Sequence, residues 1–173
     1  DILVALAIRS DFDIARQVTA TGATWLDRQN IAREPVALSE GGFGAEVKDA
    51  LDRRAEHLIE EGLAERKGQR VTFARNLIET LRRKELEALG DRLAAETGQP
   101  FNRSGSGENV AGIYRQRFEL ASGRFAMIND GLGFQLVPWC PSLERQRGVH
   151  VYGVARSNGG IDWSFGRTRG LGL

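Results

Sequence analysis

The chain has 173 residues, of which 41% are hydrophobic and 27% charged, with 24 Lys and Arg against 23 Asp and Glu. This is the make-up of one globular domain or two small ones, and it excludes disordered, collagenous and polyanionic chains. No apolar run reaches the ~18 residues that cross a bilayer, no signal peptide is visible, and one cysteine, Cys140, excludes an internal disulfide and fits a reducing compartment.

Taken in chain order, Ile2–Ile8 is continuously apolar with branched residues and reads as a buried strand. Residues 12–32 follow as one or two short helices, with Thr24 as an N-cap and Asp27 at the capping-box position, and Pro35 closes this unit. The clearest helix runs from Gly44 to about Leu63 with Val47, Leu51, Ala55, Leu58 and Ile59 on one stripe. Its other side is expected to expose Asp49, Asp52, Glu56, Glu60 and Glu61 alongside Lys48, Arg53 and Arg54. Residues 64–70 then lead through a Gly turn into a short strand at Val71–Phe73. A third helix spans about 75–96, with Leu77, Ile78, Leu81, Leu89 and Leu93 inward, and Gly98 and Pro100 stop it. Residues 100–108, rich in Gly, Ser and Asn, read as a linker.

Beyond the linker the hydrophobic period changes to two. Strands are expected at 110–119, 124–128, 133–137, 149–155 and 161–165, with one helical turn at 141–147. Asn129-Asp-Gly-Leu-Gly133 between two apolar segments is a hairpin signal, because these residues tolerate positive φ at little cost. Five short strands with a helical turn before the fourth fit a small SH3-like β-barrel over 109–166, whose closure would remove exposed edges. The expected fold class is α+β: a helical, winged-helix-like unit at 1–99, the linker, the barrel, and a flexible basic tail at 167–173.

Charge is unevenly spread, since residues 101–173 carry nine Arg against five acids. Three groups of residues are candidates for function. The first is a helix–loop–strand unit with Arg66, Lys67 and Arg70 in the loop before Val71–Phe73, similar to the recognition helix and wing of a winged helix-turn-helix domain. Acidic residues on that helix oppose deep insertion into a DNA groove, so a structural or partner-binding use of the unit stays open. The second is the strand with Arg115 and Arg117, which share an outward face if Tyr114 and Phe118 are in the core. Trp163, flanked by Asp162 and Ser164, is the aromatic best placed to be exposed for stacking on a base. The third is the tail, with Arg167 and Arg169 among three glycines. For catalysis the signal is poor. There is no phosphate-binding Gly loop, no metal-ligand cluster and no nucleophile elbow, so no catalytic residue, metal or cofactor is expected.

Thr24-Trp-Leu-Asp-Arg-Gln29, Gly42-Phe-Gly-Ala-Glu-Val47, Ala111-Gly-Ile-Tyr-Arg-Gln116 and the segments 121–139 and 161–173 carry a family resemblance. The chain resembles the C-terminal domain of unknown function of bacterial conjugative relaxases, the mobilisation nucleases, over roughly residues 3–173. In that family a separate N-terminal domain nicks DNA with a Tyr nucleophile and a metal-binding His cluster. Here there are only two His (His57, His150) and two Tyr (Tyr114, Tyr152), so the resemblance implies a non-catalytic module with its relaxase domain upstream in cis. It further implies a bacterial cytoplasmic protein that is exported with transferred DNA, with Arg167 and Arg169 as a secretion-signal candidate. Its partners would be DNA at the transfer origin, held through Arg66, Lys67, Arg70, Arg115, Arg117 and Trp163. Two alternatives stay open: a protein-interaction module for the coupling protein or relaxosome subunits, and a structural platform for the nuclease domain.

Overall fold

A computed structural model describes residues 13–32, 41–103 and 108–165. The strand expected at Ile2–Ile8, Pro35 and the tail with Arg167 and Arg169 lie outside these residues. The described chain is α+β, with helices in its first half and a five-stranded antiparallel sheet in its second. It divides into two compact units, 1–85 and 86–173.

In the first unit, α1 (Ile14–Val18) and α2 (Trp25–Ile31) are short, and α3 (Phe43–Glu60) is the long helix. Thr24 caps α2 through a full capping box: its hydroxyl accepts from the Asp27 amide, and its own amide donates to Asp27 Oδ2 at 2.8 Å. Gly62, at φ +75, then turns the chain out of α3 as a left-handed C′ residue, and the Leu63 amide closes on Leu58 O at 2.8 Å. The chain enters β1 (Ala64–Lys67), which pairs antiparallel with β2 (Arg70–Phe73) around Gly68. Ala23, Leu58, Leu77 and Leu81 form one buried cluster, and Val18, Leu26 and Ala50 another.

The sequence reading placed Arg54 on the exposed side of α3, and the structure reverses that. Arg54 and Asp27 are both fully buried. The Arg54 guanidinium donates to both carboxylate oxygens, Nε to Oδ1 at 2.7 Å and Nη2 to Oδ2 at 2.9 Å. Its remaining protons reach the carbonyls of Ala20 at 2.6 Å, Gly22 at 2.9 Å and Val18 at 3.2 Å. Burial of the ion is tolerable because the guanidinium's donor fork is matched by acceptors on every side.

Helix α4 (Leu77–Thr97) crosses the boundary between the units, which falls between Glu85 and Leu86. In the second unit the strands are β3 (Asn109–Leu120), β4 (Gly123–Asn129), β5 (Phe134–Pro138), β6 (His150–Ala155) and β7 (Ile161–Ser164), in the order β5-β4-β3-β6-β7. A 3-10 helix at Pro141–Gln146 occupies the expected helical turn. The sheet does not close into the expected barrel: β5 and β7 remain its edges. Part of the β5 edge is covered by the preceding segment, since the Phe134 amide donates to Pro100 O and the Asn102 amide to Phe134 O. Residues 100–103, read as linker, therefore pair and pack, with Phe101 stacked on Phe134 at 5.5 Å between ring centres. Gly90 makes room for that ring, because a Cβ there would lie 2.3 Å from Phe101 Cδ1.

Strand β3 is shared. Its first half, Asn109–Ile113, pairs with β6, and its second half, Ile113–Leu120, pairs with β4. A bulge between Tyr114 and Gln116 shifts the alternation by one residue. Tyr114 consequently packs in the cluster of Val110, Ala126, Ile128, Val137, Leu143 and Val151 on one face. Phe118 packs on the other face with Leu89, Leu93, Met127, Phe134 and Leu136. The two were expected to share a face, and a strict period of two cannot register an inserted residue.

Two outcomes are expected. Arg54→Ala strands a buried carboxylate and three carbonyls, and a loss of about 3–5 kcal/mol in unfolding free energy is expected from urea titration, with Asp27→Asn also destabilising. In the β4–β5 turn, the amides of Leu132 and Gly133 hold the Asp130 carboxyl below its ordinary value of 3.8. This support is complete above that value and is lost as the pH falls through the lowered one. The Leu132 and Gly133 amide resonances should therefore titrate with a midpoint below 3.8.

Candidate nucleic-acid interface

The first candidate group lies on the β1–β2 hairpin, where the residues before Val71 form a strand of their own: Arg66, Lys67 and Arg70 are all exposed and Lys67 faces Arg70 across the turn. Its charge is largely answered from within. Arg66 is paired with Glu56 of α3, and Lys67 with Glu65 at 4.0 Å. Arg70 has no ion pair among the described residues. A phosphate would have to compete with Glu56 and Glu65 for two of the three cations, which weakens the wing as an anion site.

The second group lies around the β3 bulge. Arg115 is the extra residue of the bulge and is exposed. The backbone of Tyr114 beside it is bonded to the loop after the 3-10 helix: its amide donates to Val149 O at 3.1 Å and its carbonyl accepts from Gly148 N at 2.8 Å. That tie brings the 3-10 helix and its Arg145 and Arg147 to the bulge. Burial pushes the Tyr114 hydroxyl above its ordinary value of 10.0, the indole of Trp139 and the charges of Arg117 and Arg147 draw it down, and Glu144 pushes it up. Trp139 Nε1 is buried toward that hydroxyl without completing a hydrogen bond of normal geometry.

Arg117 lies 4.9 Å above the Trp139 ring and is paired with Glu119 at 3.4 Å and Glu144 at 3.5 Å. Arg124 also reaches this ring, at 5.9 Å, and Glu119 at 3.8 Å. Arg117 and Arg124 are thus held by acids and an indole, whereas Arg115, Arg145 and Arg147 are exposed with no ion pair among the described residues. Arg145 and Arg147 were missed in the sequence because they lie in and just after a 3-10 helix, remote in sequence from β3, and only the Gly148–Tyr114 pairing relates them.

Trp163 is not the exposed aromatic that its polar neighbours imply. It is half-buried against the core cluster around Val151 and stacked on Phe165 at 6.2 Å. Asp162 and Ser164 point the other way, as alternation requires. Gly153 allows this close approach: a Cβ there would lie 2.6 Å from Ile161 Cγ2, 2.9 Å from Trp163 Cε3 and 3.0 Å from the Asp162 carbonyl. The exposed aromatic is instead Tyr152, 42% accessible on the opposite face of β6, with its hydroxyl donating to Asn109 Oδ1 at 3.1 Å. No helix among the described residues is long and apolar enough to cross a membrane. Gly153→Ala should push β7 off β6, costing about 1–3 kcal/mol in chemical denaturation and altering the near-ultraviolet dichroism of Trp163.

Comparison with known proteins supplies a family and nothing finer. No curated protein and no solved structure matches the chain. One family model matches residues 3–172, nearly its whole length. The chain therefore belongs to a family described as proteins of unknown function, DUF3363.

Proposed function

We propose that this chain is a non-catalytic accessory module of a conjugative DNA relaxase, helping to hold DNA at the transfer origin, with its second unit as the main contact. The observation that carries the reading is the group of unpaired, exposed arginines, Arg115, Arg145 and Arg147, at one end of the sheet. Three guanidiniums without internal acids are available to phosphates, and arginine suits bidentate phosphate contact. The relaxase resemblance supplies DNA as the polyanion. Three helices followed by a hairpin support a winged-helix-like first unit, and the long shared strand β3 supports an SH3-like relation of the second. The tail arginines Arg167 and Arg169 are the proposed contact with the secretion machinery.

A second reading, a protein-interaction module for the coupling protein, is favoured by the exposed apolar pair Tyr152 and Val154 on one face of β6.

The readings separate in a fluorescence-anisotropy titration of the chain with labelled DNA at several salt concentrations. DNA holding predicts affinity that falls steeply with salt, and neutralising Arg115, Arg145 and Arg147 to Gln should lower the salt slope by about one unit per contact removed. Absence of binding to single- or double-stranded DNA at low salt would overturn the DNA reading and leave the coupling protein as the partner to test.

A further inference from the structure

The face of the sheet away from the Tyr114 cluster is divided. The part formed by β4, β5 and the second half of β3 is packed under Leu89 and Leu93 of α4. The part formed by β6, β7 and the first half of β3 has no element packed over it among the described residues, and His150, Tyr152, Val154, Asp162 and Ser164 are exposed there. Cross-strand pairs place Ile113 beside His150, Ala111 beside Tyr152 and Asn109 beside Val154, with Tyr152 also beside Ser164. Tyr152 is 42% exposed, Val154 37% and Val149, just before β6, 48%. These are three of the five large hydrophobic side chains that are exposed among the described residues, on one strand and its entry. A large flat ring exposed beside the exposed Val154 on the same face of β6 is costly in water unless something covers it.

What surrounds the ring indicates the occupant. At the Ile113–His150 end stand Arg115, two residues on along β3, and Arg147, just before the Gly148–Val149 segment whose backbone pairs with Tyr114, both without an ion pair among the described residues. At the other end Asp162 is already paired with Arg156, so it presents little free negative charge. The ring therefore sits on a sheet surface with two arginines at one end that have no ion pair among the described residues. This is the combination that holds single strands, with a base laid on the aromatic and its phosphates on the arginines. A duplex keeps its bases stacked within and cannot use the ring.

We propose that the open face of β3, β6 and β7 binds single-stranded DNA, with a base stacked on Tyr152 and the adjoining phosphates held by Arg115 and Arg147. The proposal rests on the DNA reading above and adds to it the strandedness and the stacking residue. The hydroxyl of Tyr152, held by Asn109, fixes the ring's orientation, so the ring and not the hydroxyl supplies the stacking energy.

The test is an anisotropy titration of the full 173-residue chain with a labelled mixed-sequence single strand and with its duplex, using the native chain, Tyr152→Ala, Tyr152→Phe and Arg115→Gln with Arg147→Gln. The single strand should bind more tightly than the duplex. Tyr152→Ala should weaken single-strand binding by roughly tenfold, within the range for loss of one stacked base, and leave the duplex unchanged. Tyr152→Phe should retain most of the affinity, and Tyr152 is exposed, so both variants should keep the native circular dichroism spectrum. Equal single-strand affinity for the native chain and Tyr152→Ala would overturn the proposal, as would a preference for duplex. If Arg115→Gln with Arg147→Gln weakened binding in that case, the broader DNA reading would stand. Loss of both would follow only if no DNA bound at all.

Discussion

The second unit depends on one inserted residue. Strand β3 serves two partners, β6 along its first half and β4 along its second, and its twelve residues carry a bulge between them. The bulge at Arg115 increases local twist and reverses the alternation, so that the strand faces one core before it and another after it. The same insertion explains the candidate surface. It sets Arg115 out of the ladder into solvent and ties Tyr114 to the 148–149 loop, which brings Arg147 alongside. Without the bulge, Phe118 would face the Tyr114 cluster and could not pack with Leu89 and Leu93.

In the first unit the comparable constraint is the Arg54–Asp27 pair. Its protons satisfy carbonyls in the α1–α2 connection, residues 18–22, that the short helices leave unpaired. Five-residue and seven-residue helices are too short to persist alone in water. Clamping their connecting chain to α3 supplies what their own hydrogen bonds do not. Asp27 acts twice, as the capping-box acid for α2 and as the counter-ion for Arg54, so local and tertiary structure are set by one carboxylate.

Much of this was legible in the residues, for particular reasons. The capping box at Thr24, the amphipathic stripe of α3, the Gly turn before β2 and the Asn-Asp-Gly hairpin are local signals, each decided within a few residues. What was not legible is non-local. Arg54 reads as a solvent-facing charge until the carbonyls of residues 18–22 are folded around it. Trp163 reads as exposed from Asp162 and Ser164, but their outward direction is what sends the indole inward, and a four-residue edge strand gives no pattern long enough to reveal which set faces the core. The open sheet differs from the expected barrel because strand count alone does not fix closure. Of the candidate site residues, Arg115 is exposed with no ion pair among the described residues, Arg117 and Arg66 are held by acids, and Tyr152 was passed over because its place on the open face depends on the β3–β6 register.

The central claim is that DNA is engaged at the β3 bulge and β6 rather than at the wing. Hydrogen–deuterium exchange of the chain with and without a short single-stranded DNA tests it most directly. The account predicts added protection across residues 111–116 and 147–153, with residues 64–73 unchanged. Protection confined to residues 64–73, or none anywhere, would contradict it.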